Sequence, residues 1–290
     1  MRTSFRDASF TAGGPASNAT SVIARFSSQA SSNLKNEVDF YGRVGNDAFG
    51  QYICQKMLSE GINLNHLTVS NNVMTPFSFV IINTKEASRT ILTVRSNEDY
   101  DNPMTEQEKF ETGYDYILTD GKYLEDTKKL MDANPNAITI IDAGRVNPGV
   151  LELCSKVKYI ICSEEFAEEV TGCKIGDSYQ ENSKVYLRLK ERFDKALGIT
   201  ITIGKKGYIT KEEEIVVNPA YNPQKAVVDT NGAGDIFHGA FTYAMALGYE
   251  YSDALEFSNV TASLSTTKTG GRESCPNLEE VEKVLKKKLK

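Results

Sequence analysis

Val228-Asp229-Thr230-Asn231-Gly232-Ala233-Gly234-Asp235, followed by Ile236-Phe237-His238-Gly239-Ala240-Phe241, reads as the end of a strand, a glycine turn and the start of an apolar helix. The first backbone N–H groups of a helix have no intrahelical partner and sit at the positive end of its dipole, so this turn suits a phosphate. Asp235 is out of place in a pure phosphate cradle, because its carboxylate repels the anion beside it. It makes sense if it takes a proton from an attacking hydroxyl. The stretch therefore reads as a phosphoryl-transfer site with its own base. The same residues would also serve a tight turn closed by a helix cap.

The whole string resembles the D-T-x-G-A-G-D signature of the ribokinase-like (PfkB) carbohydrate kinases. Upstream, Thr11-Ala12-Gly13-Gly14-Pro15-Ala16-Ser17-Asn18 places a glycine pair before a segment that turns apolar at Val22, Ile23 and Phe26. Two glycines let a ligand approach the backbone. Asn18, one turn into the following helix, can donate and accept hydrogen bonds, which suits a polyhydroxyl ligand. This element resembles the family's G-G-x-x-x-N sugar-binding motif. Gly42-Arg43-Val44-Gly45-Asn46-Asp47-Ala48-Phe49-Gly50 resembles its G-x-V-G-x-D-x-x-G, joining a strand over 38–44 to a helix over 50–60, with Asp47 bonding the turn.

The resemblance implies a ribokinase-like fold: an α/β protein built as a three-layer α/β/α sandwich, with a mostly parallel central sheet and a small β-sheet lid. It implies one kinase domain over 1–290, with lid strands drawn from about 10–20 and 75–97. It also implies ATP-dependent phosphorylation of a hydroxyl on a small sugar, with Asp235 as base and the amides of Gly232, Ala233 and Gly234 holding the developing charge. Gly13, Gly14 and Asn18 would face the sugar. Thr202-Ile203-Gly204-Lys205-Lys206-Gly207 resembles the T-x-G-x-x-G nucleotide-side turn, and Asn259 lies in the segment that flanks the nucleotide. Mg2+ is expected with ATP, with Glu164 or Glu168 acting on it through water, and K+ near Asp229 and Asn231. Pairing of two lids into a homodimer is expected as well.

The remaining chain reads consistently with this. Residues 77–82 and 90–94 form two β-rich runs around a polar turn, as in a hairpin, whose Arg89 or Arg95 could reach an anionic substrate. The short apolar runs 116–118, 138–142, 159–162 and 199–203 alternate with charged amphipathic segments, which argues for a parallel sheet with helices on both faces. Ligands of such sheets sit at the strand C-terminal ends, where Asp120, Gly121, Asp142, Ser163 and Gly204 fall. Asn277 and Glu280 open a terminal amphipathic helix over 277–290. His66 reads as a loop residue and His238 as bonding within its helix.

Net charge is −6 over 290 residues with both signs mixed along the chain, so no basic stripe offers itself to nucleic acid. No apolar run approaches the ~20 residues of a membrane span, and the N-terminus lacks a secretory pattern. Five scattered cysteines without C-x-x-C spacing read as reduced, buried thiols. A cytoplasmic enzyme is the expectation.

Two departures stand out. Family members begin with a strand and a sugar-binding aspartate well upstream of the glycine pair; neither is recognisable before Gly13, where Asp7 is the sole acidic residue. Ser163-Glu164-Glu165-Phe166 stands where many members have Asn-x-x-Glu, a position that also varies in the ketohexokinase-like branch. A nucleoside kinase, a sugar-phosphate kinase and a catalytically silent binding module therefore remain alternative readings, although a silent module has no need of Asp235.

Overall fold

Four short apolar runs pair in parallel to make the larger part of the central sheet. The computed structural model describes residues 10–30, 37–83, 88–94 and 110–286, without the side chains of 82, 83, 88 and 89. In chain order the elements are α1 (Pro15–Gln29), β1 (Gly42–Gly45), α2 (Ala48–Ser59), β2 (Leu67–Ser70), β3 (Phe77–Asn83), β4 (Ser88–Val94) and β5 (Tyr116–Thr119). There follow α3 (Leu124–Ala133), β6 (Ile138–Ala143), α4 (Pro148–Cys154), β7 (Tyr159–Ser163), α5 (Glu164–Thr171), α6 (Tyr179–Arg192) and β8 (Gly198–Thr202). The chain ends with β9 (Tyr208–Lys211), β10 (Ile215–Asn218), α7 (Ala233–Ala246), α8 (Tyr251–Ser265) and α9 (Leu278–Leu285).

The central sheet has the order β10-β9-β8-β7-β6-β5. Strands β5 to β8 are parallel, while β9 and β10 turn back antiparallel at one edge. Side chains alternate between faces with period two. Ile141 of β6 with Ile160 and Cys162 of β7 pack toward α4, α5 and α6; Ile140 and Ile161 pack toward α1, α7 and α8. Helices thus cover both faces, giving the three layers. On the second face Phe26, Tyr243 and Phe257 are fully buried, with Phe26 edge-on to both of the others.

Outside the central sheet, β1 and β2 form a parallel pair and β3 and β4 an antiparallel hairpin. The hairpin falls within the segment, 75–97, from which lid strands are expected. The other lid segment, about 10–20, is corrected: 15–29 is helix. Gly14 supplies a φ of 103° just before it, and Pro15 at the first helical position presets the backbone angle that a helix needs. Nor does a strand end at Val228. The chain there is irregular, Val227 and Val228 are exposed, and the N–H groups of Val228 and Asp229 bond instead to the carbonyl of Thr266. The strand expected over 38–44 begins only at Gly42, because the preceding residues are held by a single bridge, Asp39 with Asn63.

Asp47 caps α2, accepting from the N–H of Gly50 at 2.8 Å, and its second oxygen accepts from Thr75 N–H. Asn277 and Glu280 form the capping box of α9. All five cysteines are free; Cys154, Cys162 and Cys275 are buried, but Cys54 and Cys173 are partly exposed, so burial holds for three of the five. Asp7 and Arg95, and the side chain of Arg89, lie outside the described residues.

Candidate active site

The signature stretch folds into an irregular loop and the first turn of α7. Gly232 precedes the helix with φ 74°, a left-handed conformation that favours glycine, and a Cβ there would stand 3.0 Å from Gly271 Cα. Asp229 clasps the loop: one carboxylate oxygen accepts from the N–H of Asn231 at 2.9 Å and the other from Gly270 N–H at 3.1 Å. No side chain caps α7. The N–H of Ala233 makes only a long bond, 3.4 Å, to Thr230 O. A Cβ on Gly234 would meet nothing within 4 Å, so this turn borders open space. An uncapped helix start of this kind is the anion-binding geometry expected of the glycine turn.

Asp235, in the first turn of α7, is held from α1. Asn18 Nδ2 donates to Asp235 Oδ2 at 2.6 Å. The amide of Asn18 is itself oriented, since Arg272 Nε donates to its Oδ1 at 3.3 Å. A guanidinium has only donors, so the carbonyl end of Asn18 must face Arg272 and the NH2 end must face Asp235. Arg272 is 3% exposed; its remaining nitrogens donate to Glu60 Oε2 at 3.1 Å and to Ser17 Oγ. Close helix packing makes the arrangement reachable: a Cβ on Gly239 of α7 would stand 2.8 Å from Val22 Cβ and would also strike the carbonyl of Ala19, both on α1.

Burial raises the pKa of Asp235, and the Asp120 carboxylate adds to this; the Asn18 hydrogen bond and His238 oppose it. Asp142, at the end of β6, is pushed up to about 6, chiefly by burial and then by the Asp235 and Asp120 carboxylates. His238 ties these parts together: its Nδ1 lies 2.6 Å from Gly234 O, and its Nε2 lies 3.3 Å from Ile161 O and 3.4 Å from Asp142 Oδ1. Three carboxyl groups thus gather between the strand C-terminal ends and the start of α7. A carboxylate whose pKa is raised is suited to receive a proton.

The other residues singled out from the sequence lie on separate parts of the chain's fold. Gly13 and Gly14 are exposed just before α1, and a Cβ on Gly13 would meet nothing within 4 Å. Thr202 ends β8 and donates to Cys162 O at 3.2 Å. After it Gly204 opens a short helical turn, Gly204–Lys206. Gly207, with φ 104°, packs so tightly against the backbone of 218–220 that only glycine fits. Asn259 donates to Pro219 O at 2.8 Å and accepts from Tyr221 N–H at 3.4 Å, so its amide holds the 219–221 loop. Glu164 opens α5, with its pKa raised by partial burial and by Glu168 and Glu165.

Sequence reasoning missed the Arg272–Glu60 pair and the bridging contacts of His238. Glu60 and Arg272 are separated by 212 residues, and no local pattern marks an arginine for burial. The one available signal was a charged residue directly after Gly270-Gly271.

Residues 4–278 match the pfkB family carbohydrate kinase pattern, and the chain belongs to that family. It is 24% identical over 277 residues to a ribokinase of Schizosaccharomyces pombe, covering 93% of this chain and 85% of the relative. It is 27% identical to a probable fructokinase-5 of Arabidopsis thaliana, covering 90% and 86%. The solved structure of Arabidopsis thaliana ribokinase complexed with ribose and ATP superposes with a TM-score of 0.75 at 23% identity, over 94% of this chain and 87% of that one. The protein is an ATP-dependent sugar kinase of the ribokinase/fructokinase-like branch. Among the described residues no helix is long and apolar enough to cross a membrane.

Proposed function

We propose that this chain is a single catalytic unit in which Asp235 deprotonates a hydroxyl of a ribose- or fructose-sized sugar for attack on the γ-phosphate of ATP. The observation that carries this is the Arg272–Asn18–Asp235 chain, which fixes a carboxylate of raised pKa at an uncapped helix start. The amides of Gly232, Ala233 and Gly234 hold the charge that builds on the transferred group. Gly13, Gly14 and Asn18 bound the sugar side; Thr202, Gly204, Gly207 and Asn259 shape the nucleotide side.

Mg2+ suits the oxygen donors available: burial raises the pKa of Asp142 and Glu164, neighbouring carboxylates add to it, and a divalent cation would relieve that added repulsion. It would neutralise nucleotide phosphate charge. Asp142 and Glu164 would hold it through water. A monovalent cation such as K+ belongs beside the Asp229–Asn231 loop.

Asp235→Asn tests the base assignment. Turnover, read as ADP release with ribose and fructose, is expected to fall about 10²–10⁴-fold while ADP binding persists. Near-normal turnover rejects the base. Silence of the unaltered chain on both sugars, with ATP still bound, favours the binding module.

The β3–β4 hairpin exposes Phe79, Val80, Ile81, Ile91, Leu92 and Val94. An isolated two-stranded hairpin is marginal in water, and its open edges and apolar surface suit a second copy. A homodimer through this lid is the expected assembly. Phe79→Asp with Leu92→Asp should convert a dimer to a monomer in light scattering; an unchanged mass refutes the lid interface.

A further inference from the structure

A second group of ionisable side chains lies at the opposite ends of the strands from Asp235. Asp39 precedes β1, His66 precedes β2 and Glu111 precedes β5, whose other end leads to Asp120, a charge felt by Asp235. One ligand atom from each of the three lies within 4.8 Å of the others, the one such cluster among the described residues. His66 is 8% exposed, and neither of its ring nitrogens has a hydrogen-bond partner. Leaving such a group unpartnered is costly, so it calls for an explanation. Its Nε2 points toward Glu111 Oε1 at 3.6 Å, beyond hydrogen-bond reach. Two ligands on a tetrahedral zinc, each about 2.0–2.1 Å from the metal, stand about 3.3–3.4 Å apart. The observed separation is therefore close to a metal-ligand edge.

The surroundings have the character of a supporting shell. Asn63 Nδ2 donates to Asp39 Oδ1 at 2.6 Å, and Tyr114 OH donates to Asp39 Oδ2 at 2.6 Å. Each carboxylate oxygen keeps a further lone pair for a metal, and both are aimed by these bonds. Tyr41 stacks on the His66 ring at 4.4 Å with an interplanar angle of 3°, which fixes the imidazole plane. Glu111 is exposed on its far side, leaving room for a water as fourth ligand.

We propose that Asp39, His66 and Glu111 form a zinc site that staples the β1–β2 pair to the start of β5. One imidazole nitrogen and two carboxylates form a ligand set that binds Zn2+ well and Mg2+ poorly. The metal is structural. It lies at the far end of β5 from Asp120, and it would tie the start of β5 to the β1–β2 pair, adding to the Tyr114–Asp39 hydrogen bond already between them.

The test compares the full chain with His66→Gln and Glu111→Gln after chelator dialysis. Zinc is added back and measured by equilibrium dialysis with elemental analysis, and Co2+ is used as a spectroscopic probe. The unaltered chain is expected to bind one more tight Zn2+ than either variant, to show the intense visible bands of tetrahedral cobalt, and to melt higher with zinc but not with Mg2+. Tyr114→Phe, which removes a bond to a ligand, should weaken binding about tenfold or more. Equal zinc stoichiometry and affinity in the unaltered chain and the variants overturns the site, as does cobalt binding without tetrahedral bands. If His66→Gln does not fold, Glu111→Gln carries the same comparison, because that side chain is 63% exposed.

Discussion

Replacing Gly239 by alanine should damage catalysis far more than stability. The added Cβ would sit 2.8 Å from Val22 Cβ and would also press on the Ala19 carbonyl, a backbone atom that cannot rotate away. Carbon atoms prefer about 3.5–4.0 Å, so α1 must withdraw from α7 by about 0.7 Å or more. Asn18 is next to Ala19, and Asp235 is one turn from Gly239. The 2.6 Å bond between them then stretches beyond about 3.2 Å, the usual limit for a sound bond. Overpacking costs about 1–3 kcal/mol, and exchanging glycine for alanine within a helix returns about 1 kcal/mol. The net loss is about 0–2 kcal/mol. For 290 residues, unfolding entropy makes each kcal/mol worth about 1.6 °C, so the melting midpoint should fall by no more than about 3 °C. Turnover should fall about tenfold or more, because misplacing a reacting group by about 1 Å can cost about 10²-fold. The assay pairs ADP release at saturating ATP and sugar with a thermal melt on the same sample. Turnover within twofold of the unaltered chain would refute the idea that helix spacing positions Asp235; a folded protein with a lower midpoint and full activity would do so most directly.

Arg272→Met removes three donors from a buried site but leaves Glu60 with Ser21 and Lys56. The cost should therefore lie near the lower end of the about 3–5 kcal/mol seen when a buried pair is broken. A double-mutant cycle with Glu60→Gln in urea checks this, and a coupling indistinguishable from zero would sink it. The same variant frees the Asn18 amide to turn over and should lower turnover with little change in ATP affinity. Asp142→Asn should stabilise the protein at neutral pH. With its carboxyl raised from 3.8 to about 6, the folded chain binds a proton more tightly than the unfolded chain. The associated stability is fully present below pH 3.8 and is lost as pH rises through 6. Removing the charge should recover about 3 kcal/mol at most at pH 7 and nothing below pH 4. A gain that persists at pH 3.5 would point to packing rather than ionisation.

Much of the site was legible because its chemistry is local. Gly232, Gly234 and Asp235 stand within four residues, so the turn, the exposed amides and the carboxylate follow from the order of residues alone. The same holds for the Asp47 cap, for the capping box at Asn277 and Glu280, and for the parallel strands, whose short apolar runs carry their own boundaries. The sequence also brought Asn18 forward as a polar residue one turn into a helix.

What it could not decide was where separate segments meet. Val227 and Val228 have strand propensity, yet they end up exposed, because the Thr266 carbonyl claims the amides of Val228 and Asp229. Pro15 and Gly14 turn a segment expected in the lid into a helix against α7. The contact at Gly239 then sets Asn18 beside Asp235. Arg272 reaches Asn18 across 254 residues, and Asp39, His66 and Glu111 meet only because β1, β2 and β5 start at the same end of the molecule. Turns, caps and periodicity are properties of neighbours along the chain and can be read from it. The orientation of an amide, the pKa of a buried carboxyl and the convergence of three ligands depend on the packing distance between segments, which only the tertiary structure fixes.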